Sequence, residues 1–411
     1  MEDLIIVGAG PAGLAAASAA RSMMPLVVEA GRIVRQRRHE DPVEAVQGVG
    51  GAGLFSDGKF SFWPSATKLW SLNSHFLELS YSWLSRILST VGIVAPEPAW
   101  GKVGHEQTVF AGEKRYLSLG SSYSDRERLV EQLASSSVRL RVQCRVTRIV
   151  DEGGSWTVEL DSGEKISSRF VIIATGRLGP LALKKWIPGA MMRHLRFEAG
   201  VRIEQPADRF FLDSHGQLDP KFIWRSDDGR VEWRTFCCCR QGKVVDTRFD
   251  GLTTACGRAD CPPTGWSNVG FNVRMFGTPE VGPAQDHLLA AAKTLRVPVR
   301  QRLSAFLDDQ GSMQQETLES VLGVHLSARL AEGLCLLMRE FPEHDLTDAV
   351  LVGPTVEGVG LYPLYGETLE TPARGLWVAG DLAGTFRGLT AALLSGHVAG
   401  QAVVDAQRSR P

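Results

Sequence analysis

Three glycines near the N-terminus have the spacing that a backbone needs to hold a pyrophosphate. Gly8, Gly10 and Gly13 directly follow a short β-rich run at residues 4–7 and open an alanine-rich helical stretch. Gly8 permits the tight turn, Gly10 lets the backbone approach the pyrophosphate at the helix N-terminus, and Gly13 allows close helix packing. This pattern predicts a dinucleotide-binding turn.

An acidic residue stands where such a site needs a partner for ribose. Glu29 ends the next predicted strand, residues 25–29, and a carboxylate there can accept a hydrogen bond from a ribose hydroxyl. The strand, turn, helix and strand together predict a parallel sheet with a right-handed crossover.

A second glycine-rich run, residues 48–53, also fits the spacing of the fingerprint. No buried strand precedes it and no apolar helix follows, so the context of a second dinucleotide domain is missing. We therefore predict a loop whose backbone N–H groups approach a cofactor and which ends in Ser56, Asp57, Gly58 and Lys59. The alternative is an ordinary surface loop.

The far end of the chain distinguishes FAD from NAD. A predicted strand at residues 376–379 leads into Gly380 and Asp381, and a helix follows from about Leu389, after Gly388. Asp381 is suited to accept from a ribitol hydroxyl, and the helix N-terminus can place its positive end against the flavin N1 and C2 carbonyl. The alternative role for Asp381 is that of a helix N-cap.

These motifs resemble the glutathione-reductase-like flavoproteins, and within them a family of predicted FAD-dependent dehydrogenases. The likeness rests on residues 50–53 with 56–59, 174–176, 199–204, 236–239, and 379–381 with 387–389. One departure is Arg240-Gln241-Gly242, where family members carry Pro-Gly-Gly. The resemblance implies non-covalently bound FAD, with Val146 against adenine. The complete set of predicted cofactor contacts is Gly8, Gly10, Pro11, Ala12, Gly13, Glu29, Ala30, Arg38, Gly50, Gly51, Ala52, Ser56, Asp57, Gly58, Lys59, Val146, Thr175, Gly176, Gly380, Asp381, Gly388, Leu389 and Thr390.

Arginines are concentrated in the loop after the ribose-binding strand, at Arg32, Arg35, Arg37 and Arg38, next to His39. Such a run is usually a solvated surface. Its place near the expected pyrophosphate also suggests contact with an anion or a cofactor phosphate.

Cysteines are the other reactive group. Cys237 and Cys239 lie two apart on a predicted strand, so both side chains point to one face, which suits either a redox pair or two small core residues. The spacings fit no metal site. An odd total of seven cysteines indicates a reducing compartment, so we expect a cytoplasmic protein.

Composition excludes several classes of protein. The 411 residues are 44% hydrophobic and 22% charged, which excludes disordered and fibrous chains, and the net charge of -1 gives no overall field for nucleic acid or an anionic membrane. Residues 4–20 are apolar, but their acidic start and interrupting glycines exclude a signal peptide, and we expect no membrane span elsewhere.

The predicted fold class is α/β: a Rossmann-type FAD-binding domain built around a parallel sheet with a βαβ unit, and an inserted α+β substrate domain with a mixed or antiparallel sheet. The boundaries are 1–180 with 345–411 for the FAD domain and 181–344 for the substrate domain, with the pocket between them. Helices are predicted at about 66–91, 124–133, 284–340 and 389–406, and further strands at 138–149, 156–160, 170–174, 201–204, 222–225, 231–239 and 269–276.

The predicted activity is that of an FAD-dependent oxidoreductase, a dehydrogenase or reductase that transfers a hydride between flavin N5 and a small organic substrate, with NAD(P)H as a candidate external reductant. The alternatives are an FAD-dependent monooxygenase and a non-catalytic escort protein on the same fold. Lys59 and Arg387 are the catalytic candidates, because both flank the expected flavin. An aromatic or carboxylated substrate would suit the candidate contacts Arg202, Trp224, Trp233 and Arg234.

Overall fold

A computed structural model describes residues 1–98, 109–110, 112–135, 139–187, 189–308 and 317–409. Its contacts divide the chain into two compact units. The first unit contains Met1–Gly104, Leu119–Arg193 and Leu361–Pro411, and the second contains His105–Ser118 and His194–Gly360. Residues 345–360 therefore belong to the second unit.

Strands and helices alternate in the first part of the chain, and strands dominate the second. The strands are β1 (Glu2–Val7), β2 (Leu26–Val28), β3 (Lys59–Ser61), β4 (Val109–Phe110), β5 (Glu113–Lys114), β6 (Ser118–Gly120), β7 (Arg139–Arg141), β8 (Val146–Asp151), β9 (Trp156–Leu160), β10 (Lys165–Ile173), β11 (Met192–Pro206), β12 (Ile223–Arg225), β13 (Val231–Cys239), β14 (Lys243–Phe249), β15 (Leu252–Arg258), β16 (Trp266–Met275), β17 (Val299–Arg302), β18 (Val350–Pro363) and β19 (Leu376–Val378). The α-helices are α1 (Pro11–Ala19), α2 (Ser74–Ser89), α3 (Tyr123–Ser135), α4 (Gly179–Trp186), α5 (Val281–Thr294), α6 (Leu303–Asp308), α7 (Leu318–Glu340) and α8 (Leu389–Arg408).

A parallel sheet forms the centre of the first unit. Its strands run in the order β7, β2, β1, β10 and β19, and each neighbouring pair is parallel. Strands β2 and β19, together with residues 4–7 of β1 and 170–173 of β10, are continuous apolar runs because these parallel strands are buried on both faces, whereas the edge strand β7 is partly exposed. The predicted βαβ unit is confirmed in β1, α1 and β2. The α/β fold class follows.

The two halves of strand β10 have different partners within one seven-stranded sheet. Its first half pairs with β9, and β9 with β8, in antiparallel fashion, while Val171–Ile173 pair with β1 on one side and β19 on the other. The register aligns Val7, Ile173 and Val378. The carboxyl ends of β1, β10 and β19 therefore meet at one edge of the sheet.

Helices α1 and α8 cross at very short range. A Cβ atom at Gly396 would collide with the Ala12 carbonyl oxygen, and one at Gly400 with the Ala16 carbonyl oxygen. Only glycine at these two positions of α8 lets the backbones approach this closely. The crossing fixes the position of α8 relative to the first glycine turn.

The second unit is built on a six-stranded sheet in the order β12, β13, β16, β11, β18 and β17. The pairs β12–β13, β13–β16, β11–β16 and β17–β18 are antiparallel. One face is apolar and includes Phe197, Val201 and Val273, whereas the opposite face carries Arg202 and Arg234. The predicted second sheet is thus confirmed, and its two faces have opposite character.

One helix in the described part of the chain, α7, is long and apolar enough to span a membrane, by length and composition alone. The sequence predicts this segment only as part of the helical stretch 284–340. The helix is broken at Gly323, half of its most apolar window is buried, and the Trp233 indole donates a hydrogen bond to its Arg329 carbonyl oxygen at 2.6 Å. In this unit α7 is a core helix.

Several predicted elements differ from the structure. The helix predicted at 124–133 is α3, and it is preceded by a capping box of Ser122 and Asp125. The Ser122 hydroxyl accepts from the Asp125 N–H at 3.2 Å, and the Asp125 carboxylate accepts from the Ser122 N–H at 3.0 Å. The predicted strand 138–149 is two strands, β7 and β8, which pair with different partners; Val138 lies outside the described residues, as does the part of the predicted helix 284–340 at residues 309–316.

A buried histidine makes the first unit sensitive to acid. His397 of α8 is 4% exposed, its Nδ1 lies 2.8 Å from the Ser80 hydroxyl, and its ring stacks on Trp83. Burial, together with the charge of Arg86, lowers the pKa of His397 to about 3. In the unfolded chain the imidazole takes up a proton below about pH 6.5, and in the folded chain it does not.

We expect the free energy of unfolding to fall by about 2 kcal/mol between pH 7 and pH 5 from this group, because the unfolded state alone gains a proton there. His397→Gln should remove that part of the slope, as measured by urea denaturation at the two pH values. His75→Gln is the matched control, because His75 is exposed on α2. Equal slopes in the wild type and His397→Gln would contradict the assignment.

Candidate functional site

The site is built at the edge of the first unit's sheet, where three strands end in turns. Gly8 follows β1 with φ of 103°, and a Cβ there would lie 2.6 Å from the Ala174 carbonyl oxygen at the end of β10. Gly380 follows β19 with φ of 68°, and a Cβ there would lie 2.8 Å from the Ala12 Cβ in α1. Both turns therefore need glycine for conformation and for space: the first packs on the backbone after β10, and the second packs on α1.

Two helices begin at this edge. The N-cap of α1 is Gly10 and that of α8 is Gly388, and no side chain of the described residues caps either helix. Their first N–H groups therefore present partial positive charge without a side-chain acceptor. Such helix starts bind anionic groups.

The two glycines of the first turn have different surroundings. A Cβ at Gly13 would collide with the Gly8 carbonyl oxygen, whereas the nearest atom to a Cβ at Gly10 would be the Gly51 Cα, at 3.9 Å. Gly13 is therefore required by packing. The open space at Gly10 is what a closely approaching ligand needs.

Glu29 holds three parts of the site together. Its carboxylate accepts from the N–H groups of Ala9 at 2.8 Å, Gly31 at 2.8 Å and Gly48 at 3.1 Å, and the residue is 6% exposed. Because a carboxylate offers about four acceptor positions, one remains for a hydroxyl. Sequence reasoning assigned the ribose contact and missed these structural bonds.

The glycine-rich loop at residues 48–53 lies against the first turn. The Gly50 N–H donates to the Ala9 carbonyl oxygen at 2.8 Å, and a Cβ at Gly51 would lie 3.0 Å from the Gly10 Cα. Ala52 lies in the 3-10 turn Gly51–Gly53. Of the two interpretations left open by the sequence, the geometry favours a loop that belongs to the site.

Arg37 organises this loop, and the sequence did not single it out from its neighbours. It is 7% exposed, and its guanidinium donates to the carbonyl oxygens of Glu44 at 2.6 Å, Val49 at 2.7 Å and Gly51 at 3.0 Å while lying over the Phe55 ring. Burial lowers the pKa of Arg37 to about 10, against the opposing charges of nearby acids. The only feature of the sequence that pointed to Arg37 was its position in a loop rich in arginine.

Arg38, the arginine predicted to contact the cofactor, is exposed and paired with acids. Its guanidinium donates to the Asp41 carboxylate at 2.9 Å and lies 3.4 Å from that of Glu44. Arg32 is also paired with Glu44. The basic loop is thus largely neutralised by its own carboxylates, and contact of Arg38 with a phosphate stays a prediction.

The catalytic candidates are both ion-paired within the first unit. The Lys59 ammonium lies 3.1 Å from the Asp57 carboxylate, and the Arg387 guanidinium 3.1 Å from that of Asp381. Lys59 is 7% exposed. Asp381, the predicted ribitol acceptor, therefore also carries a cation beside the start of α8.

Two buried hydroxyls at this edge have no hydrogen-bond partner among the described residues: those of Thr175, two residues after the end of β10, and Thr390, in the first turn of α8. A buried polar group without a partner costs free energy, so these positions suit a polar ligand. A Cβ at Gly176 or Gly388 would meet nothing within 4 Å, so the backbone there borders open space.

The remaining predicted contacts lie along the same elements. Pro11 and Ala12 form the first turn of α1, Ala30 follows Glu29, and Leu389 opens α8; Ser56 donates to the Gly53 carbonyl oxygen and accepts from the Gly58 N–H. Val146 is the buried first residue of β8.

The four predicted substrate contacts lie in the second unit on opposite faces of its sheet. Trp224 on β12 lies opposite Trp233 on β13, and both are on the apolar face of the sheet that also carries Val273. The Trp233 indole N–H donates to a carbonyl oxygen of α7. Arg202 and Arg234 lie on the polar face. The structure therefore does not bring the tryptophans and the arginines together.

No protein-family model matches the sequence. No curated protein matches it. Solved structures similar to the chain include a flavoprotein/dehydrogenase from Cytophaga hutchinsonii, with 16% identity over all of this chain and 79% of that one and a TM-score of 0.45. Others are CtdE in complex with FAD, with 14% identity over 99% and 89% of the two chains and a TM-score of 0.39, and the OxyS anhydrotetracycline hydroxylase from Streptomyces rimosus, with 14% identity over 100% and 63% and a TM-score of 0.40. We assign neither cofactor nor reaction from these likenesses.

We expect Arg37→Met to lower the free energy of unfolding by about 2–4 kcal/mol, because several carbonyl oxygens lose a charged donor at once. Amide hydrogen exchange should accelerate at Val49 and Gly51. The neighbouring variant Arg38→Met, at an exposed position, should leave both measurements nearly unchanged. The same loss in both variants, by chemical denaturation, would refute a special role for Arg37.

Proposed function

We propose that the chain is an FAD-dependent oxidoreductase that transfers a hydride between flavin N5 and a small organic substrate. The observation that carries this proposal is that α1 and α8, one near each end of the described chain, begin at the same edge of the sheet. Each helix has glycine as its N-cap, and no side chain of the described residues caps it. A dinucleotide that bears a second ring system needs two such binding ends, one for its pyrophosphate and one for its ring.

The first end would bind the phosphates and ribose. The N–H groups at the start of α1 would donate to the pyrophosphate, which approaches through the open space at Gly10. Glu29 would use its remaining acceptor position for a ribose hydroxyl, and its three existing bonds keep the carboxylate fixed.

The second end would bind the flavin. Bound FAD supplies the ability to accept or give a hydride without a protein nucleophile. The start of α8 would place positive charge near the ring, and the Thr390 hydroxyl would gain the partner that it lacks. Asp381 would accept from the ribitol chain while Arg387 holds its carboxylate in place. Lys59, paired with Asp57, would add a fixed positive charge.

A carboxylated substrate is the proposed class, and Arg234 is the preferred contact. Its Nη1 lies 3.4 Å from the Glu232 carboxylate, but its Nε is buried without a hydrogen-bond partner among the described residues. Arg202 is a weaker candidate because it already donates to Asn268 and to the Cys237 carbonyl oxygen. Trp233 is a weaker candidate because its indole N–H already donates to a carbonyl oxygen of α7. NAD(P)H as the external reductant and a cytoplasmic location complete the proposal.

We expect Gly10→Val to fold normally and to bind FAD at least about tenfold more weakly, a loss of about 1.4 kcal/mol. Valine fits the extended backbone at Gly10, with φ of -72° and ψ of -179°, but fills the space that the pyrophosphate would use. Binding is measured by FAD titration of the apoprotein and folding by thermal denaturation.

Gly13→Ala is the contrasting variant, because its methyl group would collide within the protein. It should lower the melting temperature whether or not FAD is present. Unchanged FAD affinity in a well-folded Gly10→Val would argue against the site.

The reaction class is tested by anaerobic reduction of the FAD-loaded protein with NADH, NADPH and a panel of small carboxylic acids, followed at the yellow absorbance band. Bleaching by one of these compounds supports hydride transfer. Oxygen consumption with incorporation of oxygen into the product would favour a monooxygenase instead. A protein that binds no FAD would overturn the proposal and favour a non-catalytic escort role.

A further inference from the structure

Arg202 is a buried cation in the second unit, on the polar face of the six-stranded sheet. It is 1% exposed, and its guanidinium donates to the Asn268 side-chain oxygen at 2.7 Å and to the Cys237 carbonyl oxygen at 2.6 Å. No carboxylate of the described residues forms an ion pair with it. Because a buried charge is costly without an opposite charge, this environment favours an anion nearby.

A thiol lies in contact with this guanidinium. The Arg202 Nη2 atom lies 3.7 Å from the Cys239 sulfur, and the backbone of Gly257 packs directly on the guanidinium. Burial alone would lower the pKa of Arg202, but the charges of Cys237, Cys239 and Cys256 raise it above its usual value. The guanidinium and the thiols are thus electrically coupled.

The backbone brings two of these thiols into contact. Side chains two apart on a regular strand are separated by about 6.7 Å. The Cys237 and Cys239 sulfur atoms are only 3.9 Å apart, because β13 bulges between Phe236 and Cys239 and Cys237 has φ of 50°. A left-handed conformation is unfavourable for cysteine, and disulfide-bonded sulfurs lie about 2 Å apart. A short movement would join the two sulfurs.

The two thiols differ in exposure. Cys237 is partly exposed, whereas Cys239 is fully buried beside Arg202. Cys238, between them, is buried, and its backbone N–H donates to the Asp219 carboxylate at 3.0 Å. A reagent from solution would therefore react with Cys237 first, and the buried Cys239 would then react with Cys237.

We propose that Cys237 and Cys239 form a redox-active dithiol that closes to a disulfide by exchange with a small external disulfide. The Cys237 thiolate attacks one sulfur of the reagent, which forms a mixed disulfide and releases one reagent thiolate. The Cys239 thiolate, stabilised by Arg202, then attacks the Cys237 sulfur and releases the second reagent thiolate. Two electrons pass to the reagent, and the two protons of the cysteines protonate the released thiolates.

This inference is independent of the proposed FAD chemistry. Its competitor is that all three cysteines are small core residues, as buried cysteines commonly are. That alternative accounts for the burial of Cys238 and Cys239, but it leaves the strained conformation of Cys237 and the buried Arg202 without a reason.

The test exposes the full-length protein to oxidised glutathione, blocks the remaining thiols by alkylation and maps the peptides by mass spectrometry. We expect the peptide that contains residues 237–239 to become lighter by two hydrogen atoms, to escape alkylation at both positions, and to recover with dithiothreitol. Cys239→Ser should abolish closure and leave glutathione attached to Cys237. Cys335→Ser, at an exposed position of α7, should close like the wild type.

Arg202→Met should slow closure at least about tenfold and Arg202→Lys should slow it less, because the charge stabilises the attacking thiolate. The peptide mapping of the wild type and of Cys239→Ser decides the proposal even if neither arginine variant folds. Two alkylatable thiols at Cys237 and Cys239 after oxidation, or a disulfide that joins any other pair, would overturn it.

Discussion

The close crossing of α1 and α8 is the constraint on which the first unit's site depends. Gly396 and Gly400 bring the backbone of α8 against the carbonyl oxygens of α1, and Gly380 brings the turn after β19 against the Ala12 side chain. The parallel register of β1, β10 and β19 sets the first and the last glycine turn at one edge of the sheet, and this contact fixes α8 against α1 there. Without it, each helix start would be a separate weak anion site.

The buried charged side chains around the site form hydrogen bonds mainly with backbone groups. Glu29 accepts from three N–H groups, and Arg37 donates to the carbonyl oxygens of Glu44, Val49 and Gly51. These charge-assisted bonds join segments that lie up to 20 residues apart in sequence and hold them in place. The electrostatic groups therefore act first as the framework of the loops and only then as ligand contacts.

The sequence predicted what is encoded locally. The βαβ unit, β13, β19 and α8 are set by short-range patterns of apolar residues and glycine, and the structure has them at or near the predicted bounds. The β14–β15 hairpin was missed although Asp250-Gly251, between two β-rich runs, is a strong signal for a two-residue turn. Strand β18 was missed because its glycines and prolines are typical of turns, and its pairing in the sheet overrides that preference.

Contacts between residues far apart in the chain could not be predicted from local sequence patterns. Arg37 and Arg38 are adjacent and chemically identical, yet one is buried under a loop and the other is exposed. The bulge that brings the thiols of Cys237 and Cys239 close together follows from the register between β13 and β16, and no local sequence pattern specifies that register.

A crystal structure of the protein grown with FAD would test most directly whether the two helix starts form a single site. We expect one FAD per chain, with the pyrophosphate at the start of α1 and the isoalloxazine ring at the start of α8. Density for FAD at only one of the two helix starts, or at neither of them, would contradict the claim that the crossing of α1 and α8 builds a single site.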